Sequence, residues 1–128
     1  MSTIKLGHRP KTFAPVTITF PMPEGGEGKI EITYHYRTRS EFGELIDQLY
    51  KDAGQKPRAE GEEFSMKDLM EKTRDKNAEY LMKCIAAWNL DIDLSVDALR
   101  QLSDELPAAA TAIMDRYRAA ALEGRLGN

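Results

Sequence analysis

The sequence predicts an α+β fold in which an N-terminal antiparallel β-hairpin or small sheet is followed by about four α-helices. Two changes of pattern lead to this fold class. Apolar and polar residues alternate over much of the first 37 residues, a period typical of strands. Beyond Thr38 the apolar residues recur at helical spacing instead. Because domains are usually about 100–150 residues long, we predict a single domain spanning residues 1–128.

Two segments with a period of two form the predicted hairpin. Residues 16–20 alternate apolar side chains with threonines, and residues 30–36 alternate apolar or aromatic side chains with polar ones. Between them, residues 21–28 are rich in proline and glycine and form a loop by composition. A two-stranded hairpin is marginally stable alone, so its apolar face should pack on helices or its edges should pair with another strand. Residues 4–9 are a weaker candidate for a third strand, because their alternation is less regular.

The first helix is predicted over residues 38–54. Thr38 and Glu41 have the spacing of a capping box, in which each side chain accepts a hydrogen bond from the other residue's backbone N–H. Gly54 suits the end of this helix. Residues 55–64 contain proline, glycine and five charged side chains, so we interpret them as a mobile charged loop.

The second helix is predicted to begin near Ser65 and to carry one long stripe of side chains. The stripe is apolar at both ends and polar around residues 73–77, which allows either a continuous helix or a break. Its members are Met66, Leu69, Met70, Thr73, Asn77, Tyr80, Leu81, Cys84, Ile85 and Trp88. The alternation over residues 89–93 then favours a brief extended stretch.

Two further helices complete the helical region, residues 65–128. Ser95 is a suitable N-cap for the third helix. Pro107 suits the first turn of the fourth, where its missing backbone N–H costs nothing. The apolar face of the fourth helix consists of Ile113, Met114, Tyr117, Ala120 and Ala121. Gly124 and Gly127 are suited to end it.

Composition and charge exclude several classes of protein. Hydrophobic residues make up 41% and charged residues 30% of the chain, which is too apolar for wholesale disorder and too charged for a membrane protein. The first ten residues lack the apolar centre of a secretory signal. Residues 1–37 carry five basic and three acidic side chains, but the whole chain has a net charge of −3. We therefore expect a cytoplasmic protein that binds neither nucleic acid nor membrane.

No pattern in the sequence indicates an active site. The two histidines, His8 and His35, lack the spacing of a zinc site. The single cysteine, Cys84, lies in an apolar stripe, where a small buried hydrophobe is the commoner role; a thiol nucleophile assisted by His35 is the less favoured alternative. We predict no catalytic, cofactor-binding or metal-binding residues, and a protein that works by contact.

The C-terminal part of the sequence is similar to a known family. The relevant segments are residues 84–91 (CIAAWNLD), 94–102 (LSVDALRQL), Leu106-Pro107, 113–117 (IMDRY) and 124–128 (GRLGN). A tryptophan closes a helix, a polar connector follows, and a leucine-rich helix, a proline and a tyrosine-containing helix lead to a Gly/Asn ending. Over residues 80–128 this pattern resembles the tail assembly chaperones of long-tailed phages and prophages.

The resemblance implies a non-enzymatic protein of the host bacterial cytoplasm. Such proteins coat the long, helical tape-measure protein until the tail tube polymerises around it, form homo-oligomers, and are not expected in the mature virion. The client-binding residues do not follow from the motif, and we place them on exposed parts of the helical region, at Met70, Tyr80, Trp88 and Tyr117. Two alternatives stay open: another small phage structural or adaptor protein, for tail completion or head–tail joining, and a small ligand-binding or thiol enzyme domain.

Overall fold

The computed structural model describes residues 4–53 and 65–125 and confirms the α+β fold. Its elements, in chain order, are β1 (Val16–Pro21), β2 (Glu27–Tyr34), α1 (Arg39–Ala53), α2 (Met66–Cys84), β3 (Ile85–Trp88), α3 (Val96–Glu105), α4 (Pro107–Arg118) and a π-helical turn (Ala119–Glu123). The predicted charged loop at residues 55–64 and the glycines at positions 54 and 127 lie outside the described residues.

Strands β1 and β2 form the predicted antiparallel hairpin. Val16 pairs with Ile32, and Ile18 pairs with Ile30. Because side chains alternate between the two faces of a strand, this register gathers the apolar side chains of both strands on one face. That face is buried, whereas the intervening threonines of β1 are exposed.

The hairpin contains one position where only glycine fits without a clash. Gly28 lies opposite Phe20, and a Cβ atom at Gly28 would come within 2.6 Å of Phe20 Cε2 and 2.7 Å of Met22 Sδ. We expect Gly28→Ala to lower the free energy of unfolding by about 1–3 kcal/mol, because overpacking forces the buried ring to move. Urea denaturation would measure this loss.

A matched glycine provides the control for this substitution. Gly43 lies inside α1, where an added Cβ would meet nothing within 4 Å. Gly43→Ala should therefore stabilise the protein by up to about 1 kcal/mol, because alanine is the better helix former. Similar urea midpoints for Gly28→Ala and Gly43→Ala would contradict the expected clash.

A third strand, β3, completes the sheet and corrects the predicted extent of the second helix. Helix α2 ends at Cys84, and residues 85–88 pair antiparallel with β2 instead of continuing the helical stripe. So short a segment, with Ile85 and Trp88 as its larger side chains, fits both a helical and an extended pattern. The strand forms because pairing with the free edge of β2 gives hydrogen-bond partners to backbone N–H and C=O groups. The stretch predicted as extended, residues 89–93, bends instead.

The predicted helix-start signals are present as hydrogen bonds. Thr38 N donates to Glu41 Oε1 (2.9 Å), and Glu41 N donates to Thr38 Oγ1 (3.2 Å), which confirms the capping box at the start of α1. Ser95 Oγ accepts a hydrogen bond from Ala98 N (3.1 Å). Pro107 is the first residue of α4. These predictions succeed because each signal acts within one helical turn.

Helix α2 runs without a break through its polar residues 73–77. Asp75 forms ion pairs with Arg74 (3.1 Å) and with Arg100 of α3 (3.2 Å). Ala78, in the next turn, is fully buried. The polar segment therefore forms an ion pair with the neighbouring helix. Helix α2 can stay continuous without burying unpaired charges in the core.

The helices and the sheet share one hydrophobic core. Helix α4 contacts β1, while α3 contacts both α2 and α4. The small side chains of Ala109 and Ala110 are buried on α4, and their size permits close approach. Ile113 and Tyr117, on the predicted apolar face, are fully buried. The π-helical turn ends at Gly124, as predicted, where φ is 69°, a left-handed conformation that favours glycine.

The N-terminal arm, which is the described segment before β1, lies beside the end of β2. Phe13 N donates to Tyr34 O (3.0 Å), and Tyr36 N donates to Lys11 O (3.1 Å). No strand is present at residues 4–9, so the weaker third-strand prediction is wrong. The hydrogen bonds that hold the arm against the end of β2 are made by Lys11 and Phe13, which are nearer to β1 in the sequence.

Candidate functional site

A cleft of about 580 Å³ opens where the N-terminal arm, the end of β2 and the helices α1 and α2 meet. It is lined by residues 9–11 of the arm, residues 35–37, Glu41, Met82 and Lys83. We call it the basic cleft, because four of its lining side chains are arginine or lysine and one is a carboxylate. Its volume lies in the range of roughly 300–1,000 Å³ that is usual for binding pockets.

An ion pair on the wall of the cleft ties the arm to α1. Arg9 Nη2 donates to Glu41 Oε2, and the Arg9 guanidinium carbon lies 5.7 Å from the centre of the Tyr36 ring, within cation–π range. The hydrogen bonds from Arg9 and from the backbone of Thr38 lower the pKa of Glu41 to about 2. Glu41 therefore caps α1 and holds Arg9 as a carboxylate at neutral pH.

The lowered pKa of Glu41 predicts an acid-sensitive contribution to stability. A carboxyl group whose folded pKa lies below its unfolded value stabilises the folded state while it is ionised. This contribution should be complete above pH 4.5, the ordinary pKa, and should be lost as the pH falls towards about 2. Urea midpoints measured from neutral pH down to this range should fall less steeply for Glu41→Gln than for the unsubstituted chain.

The control for the pH experiment is a carboxyl group in the hairpin loop. Glu24 is exposed, and Glu24→Gln makes the same change of charge as Glu41→Gln. We expect Glu24→Gln to keep the slope of the unsubstituted chain. If Glu41→Gln also keeps that slope, the ion pair does not contribute to stability in acid.

Arg37 connects the basic cleft to the buried side chain of Tyr117. Arg37 Nη1 donates to Lys83 O (2.8 Å) and to Tyr117 Oη (2.8 Å). Tyr117 Oη in turn donates to His35 O (3.0 Å). Burial raises the pKa of Tyr117 above its ordinary value, so the hydroxyl stays protonated and can donate. The Arg37 guanidinium is therefore held in place by two acceptors, Lys83 O and Tyr117 Oη.

Tyr117 lies inside a cluster of aromatic rings. Its ring centre is 4.9 Å from that of Tyr34, 5.7 Å from that of Phe42 and 6.3 Å from that of Phe13. The expectation that Tyr117 is exposed is wrong, because rings from the arm, β2 and α1 surround it and its side chain is fully buried. Its role is to position Arg37 and to fill the core.

The other three residues predicted to bind a partner lie in different surroundings. Met70 is 52% exposed. Tyr80 is partly buried against the core. Trp88 is also partly buried, and its Nε1–H donates to Ile92 O (2.8 Å). Of the four predicted residues, Met70 therefore offers the largest exposed apolar surface.

Two methionines at the start of α2 form a second surface feature. Met66 and Met70 are 57% and 52% exposed, and a separation of four residues puts them on the same helix face. We call this pair the methionine surface. Met70 and Met82 of the basic cleft are twelve positions apart, which corresponds to about 18 Å along the helix at ~1.5 Å per residue. The two surfaces are therefore separate.

The surroundings of Cys84 oppose a nucleophilic role. His35 N donates to Cys84 O (2.8 Å), so the two backbones adjoin. However, His35 is exposed, whereas Cys84 is fully buried. Burial raises the pKa of the Cys84 thiol to about 12, whereas a reactive cysteine needs a lowered pKa. These surroundings suit the favoured interpretation of Cys84 as a small buried hydrophobe.

Neither a metal-ligand cluster nor a membrane-spanning helix is found in the part of the chain that the structure describes. Within residues 4–53 and 65–125, no three His, Cys, Asp or Glu side chains are grouped closely enough to hold a metal ion. No helix of the described residues has both the length and the apolar run needed to cross a bilayer. The basic cleft and the methionine surface remain the features to be explained.

The basic cleft does not follow from any local pattern in the sequence. The excess of basic side chains in residues 1–37 is its one signal in the sequence. The lining residues range from Arg9 to Lys83, and no local spacing connects them. Pairing of the arm with the end of β2, followed by packing of α1 and α2, brings them together.

The chain matches a known protein family over its whole length. A family model described as phage tail assembly chaperone matches residues 1–128. The resemblance drawn from residues 80–128 is thus extended to the arm, the hairpin and α1. No curated protein and no solved structure matches the chain.

Proposed function

Because the chain belongs to the phage tail assembly chaperone family, we propose that it binds the tape-measure protein and masks it until the tail tube polymerises. The family match over the whole chain carries this proposal. The protein acts by binding and release, without catalysis. It works in the host bacterial cytoplasm and is absent from the mature virion.

The methionine surface supports a role in covering an apolar client. A long helical client with exposed apolar stripes needs a cover, since large exposed apolar patches promote aggregation. Methionine side chains are flexible and adapt to irregular apolar surfaces, and Met66 and Met70 are both more than half exposed. We place the main client contact at this surface, with Tyr80 and Trp88 as further contacts.

Several copies of the chain are proposed to act together along one client. A cover that must later leave is best held by modest, repeated contacts, because linked copies gain avidity without a deep pocket. Strands β1 and β3 are the two edges of the sheet, and the edge of a sheet is a natural place for another chain to pair. Pairing at these edges would join copies of the chain into homo-oligomers.

Co-expression with a fragment of the tape-measure protein tests the proposal. The fragment should aggregate when expressed alone, but it should stay in the supernatant and co-elute with this chain on size exclusion when both are expressed. A fragment that is equally insoluble in both cases would overturn the proposal. Mass spectrometry of purified virions addresses the alternative, since a structural or adaptor protein would remain in the particle and a chaperone would not.

A further inference from the structure

We propose that the basic cleft is a docking site for an acidic segment of a protein partner, whose Asp or Glu side chains contact Lys11, Arg37 and Lys83. This site is separate from the methionine surface. The inference does not depend on the tape-measure protein being the client. It rests on the charge of the cleft, on a carboxylate that the cleft already holds, and on the apolar part of its wall.

The cleft concentrates positive charge in a chain whose net charge is −3. Arg9, Lys11, Arg37 and Lys83 line it, together with the carboxylate of Glu41. Glu41 pairs with Arg9. Lys11 and Lys83 are exposed and form no ion pair with any carboxylate among the described residues. A concave group of unmatched cations attracts negatively charged partners.

The chain itself shows how the cleft receives a carboxylate. Glu41 accepts hydrogen bonds from Arg9 Nη2 and from Thr38 N. Arg37 is already held by the hydroxyl of Tyr117, so its side chain loses little further freedom when a ligand binds. Such preorganisation lowers the entropic cost of association. A second carboxylate, from a partner, would therefore meet a guanidinium that is already in position.

The wall of the cleft suits a peptide better than a nucleic acid. Pro10, Tyr36 and Met82 lie beside the cations in the lining, so an acidic side chain and a neighbouring apolar one can both find contacts. A volume of about 580 Å³ accommodates a few side chains, whereas nucleic-acid binding relies on a succession of phosphate contacts along a surface.

Fluorescence anisotropy with a defined probe tests the inference. The probe is a fluorescein-labelled peptide of Glu-Glu-Leu repeats, and its neutral counterpart has glutamine in place of glutamate. We expect the acidic peptide to bind about tenfold or more tightly than the neutral one, and its binding to weaken with added NaCl, because salt screens exposed charges. Failure of the acidic peptide to bind, or equal binding of both peptides, would overturn the inference.

Lysine substitutions locate the binding. Lys11→Gln combined with Lys83→Gln should weaken binding of the acidic peptide by about tenfold, because two charged contacts are lost. Lys29→Gln combined with Lys72→Gln makes the same change of charge at exposed positions outside the lining and should change the affinity by less than about twofold. Equal losses in both double variants would show general charge attraction and would overturn the proposed site.

Removal of the internal carboxylate should have the opposite effect. Glu41→Gln releases Arg9 for the partner and should strengthen binding of the acidic peptide by about threefold, while glutamine preserves the capping box. Glu24→Gln removes a charge in the hairpin loop and should leave the affinity nearly unchanged. No gain in Glu41→Gln over Glu24→Gln would contradict a role for Arg9.

A nucleic-acid probe completes the experiment. Labelled oligo(dT) should bind more weakly than the acidic peptide and should be insensitive to substitution of Lys11 and Lys83. If oligo(dT) binds as tightly and loses affinity in that double variant, the cleft takes phosphates and the peptide assignment fails. Circular dichroism of every variant verifies that the fold is retained.

Discussion

Replacing Tyr117 by alanine is expected to lower the free energy of unfolding by about 4 kcal/mol. The substitution removes a fully buried ring that contacts Phe13, Tyr34 and Phe42. Loss of a large aromatic side chain from a core costs roughly 3–5 kcal/mol, since the cavity closes only in part. A domain of this size has a total stability of about 5–15 kcal/mol, so the expected loss is a substantial part of the total. Urea denaturation followed by circular dichroism measures the difference.

A second substitution separates packing from hydrogen bonding at Tyr117. Tyr117→Phe keeps the ring but removes the hydroxyl that is bonded to Arg37 and His35, and it should cost about 2 kcal/mol. Tyr36→Phe is the control, because the Tyr36 hydroxyl has no hydrogen bond to the described residues, and it should cost less than about 0.5 kcal/mol. Equal costs for the two substitutions would mean that the Tyr117 hydroxyl does not contribute to stability.

Replacing Met66 and Met70 together by alanine is expected to weaken binding of a tape-measure fragment by roughly a hundredfold. In the proposed complex each methionine buries apolar surface against the client, and loss of about 1.5 kcal/mol at each position corresponds to this factor at 1.4 kcal/mol per tenfold. Both side chains are more than half exposed in the free chain, so the stability of the fold should change little. Isothermal titration calorimetry with a tape-measure peptide short enough to stay in solution alone measures the affinity.

The N-terminal arm provides the matched control for the methionine pair. Ile4 and Leu6 are 89% and 97% exposed, so Ile4→Ala with Leu6→Ala removes at least as much exposed apolar surface elsewhere. This double variant should bind the fragment with nearly unchanged affinity. If it loses as much affinity as the methionine variant, the client does not bind specifically at the methionine surface.

The placement of the two surfaces on one helix has a consequence for function. Helix α2 carries the methionine surface at its first turns and contributes Met82 and Lys83 to the basic cleft near its end. The separation of about 18 Å lets both surfaces be occupied at once. Variants in one surface should therefore leave binding at the other unaffected, which keeps the two proposals experimentally independent.

Features whose hydrogen bonds or packing are local can be predicted from the sequence. The alternation of residues 16–20 with threonines predicts which face of β1 is buried. The capping box of Thr38 and Glu41, and the cap at Ser95, each join residues within one turn. A pattern read along the chain contains both partners of such contacts, so it also contains the information needed to predict them.

Features whose partners lie far apart along the chain depend on the tertiary structure. Residues 85–88 become a strand because β2 offers them an edge, although their own pattern also fits a helix. Tyr117 is buried by rings at positions 13, 34 and 42, and the basic cleft joins residues from Arg9 to Lys83. The physical reason is the same in each case, because burial, strand pairing and a concentrated charge depend on neighbours in space. Periodicity predicts one face of one element, and it does not predict what will cover that face.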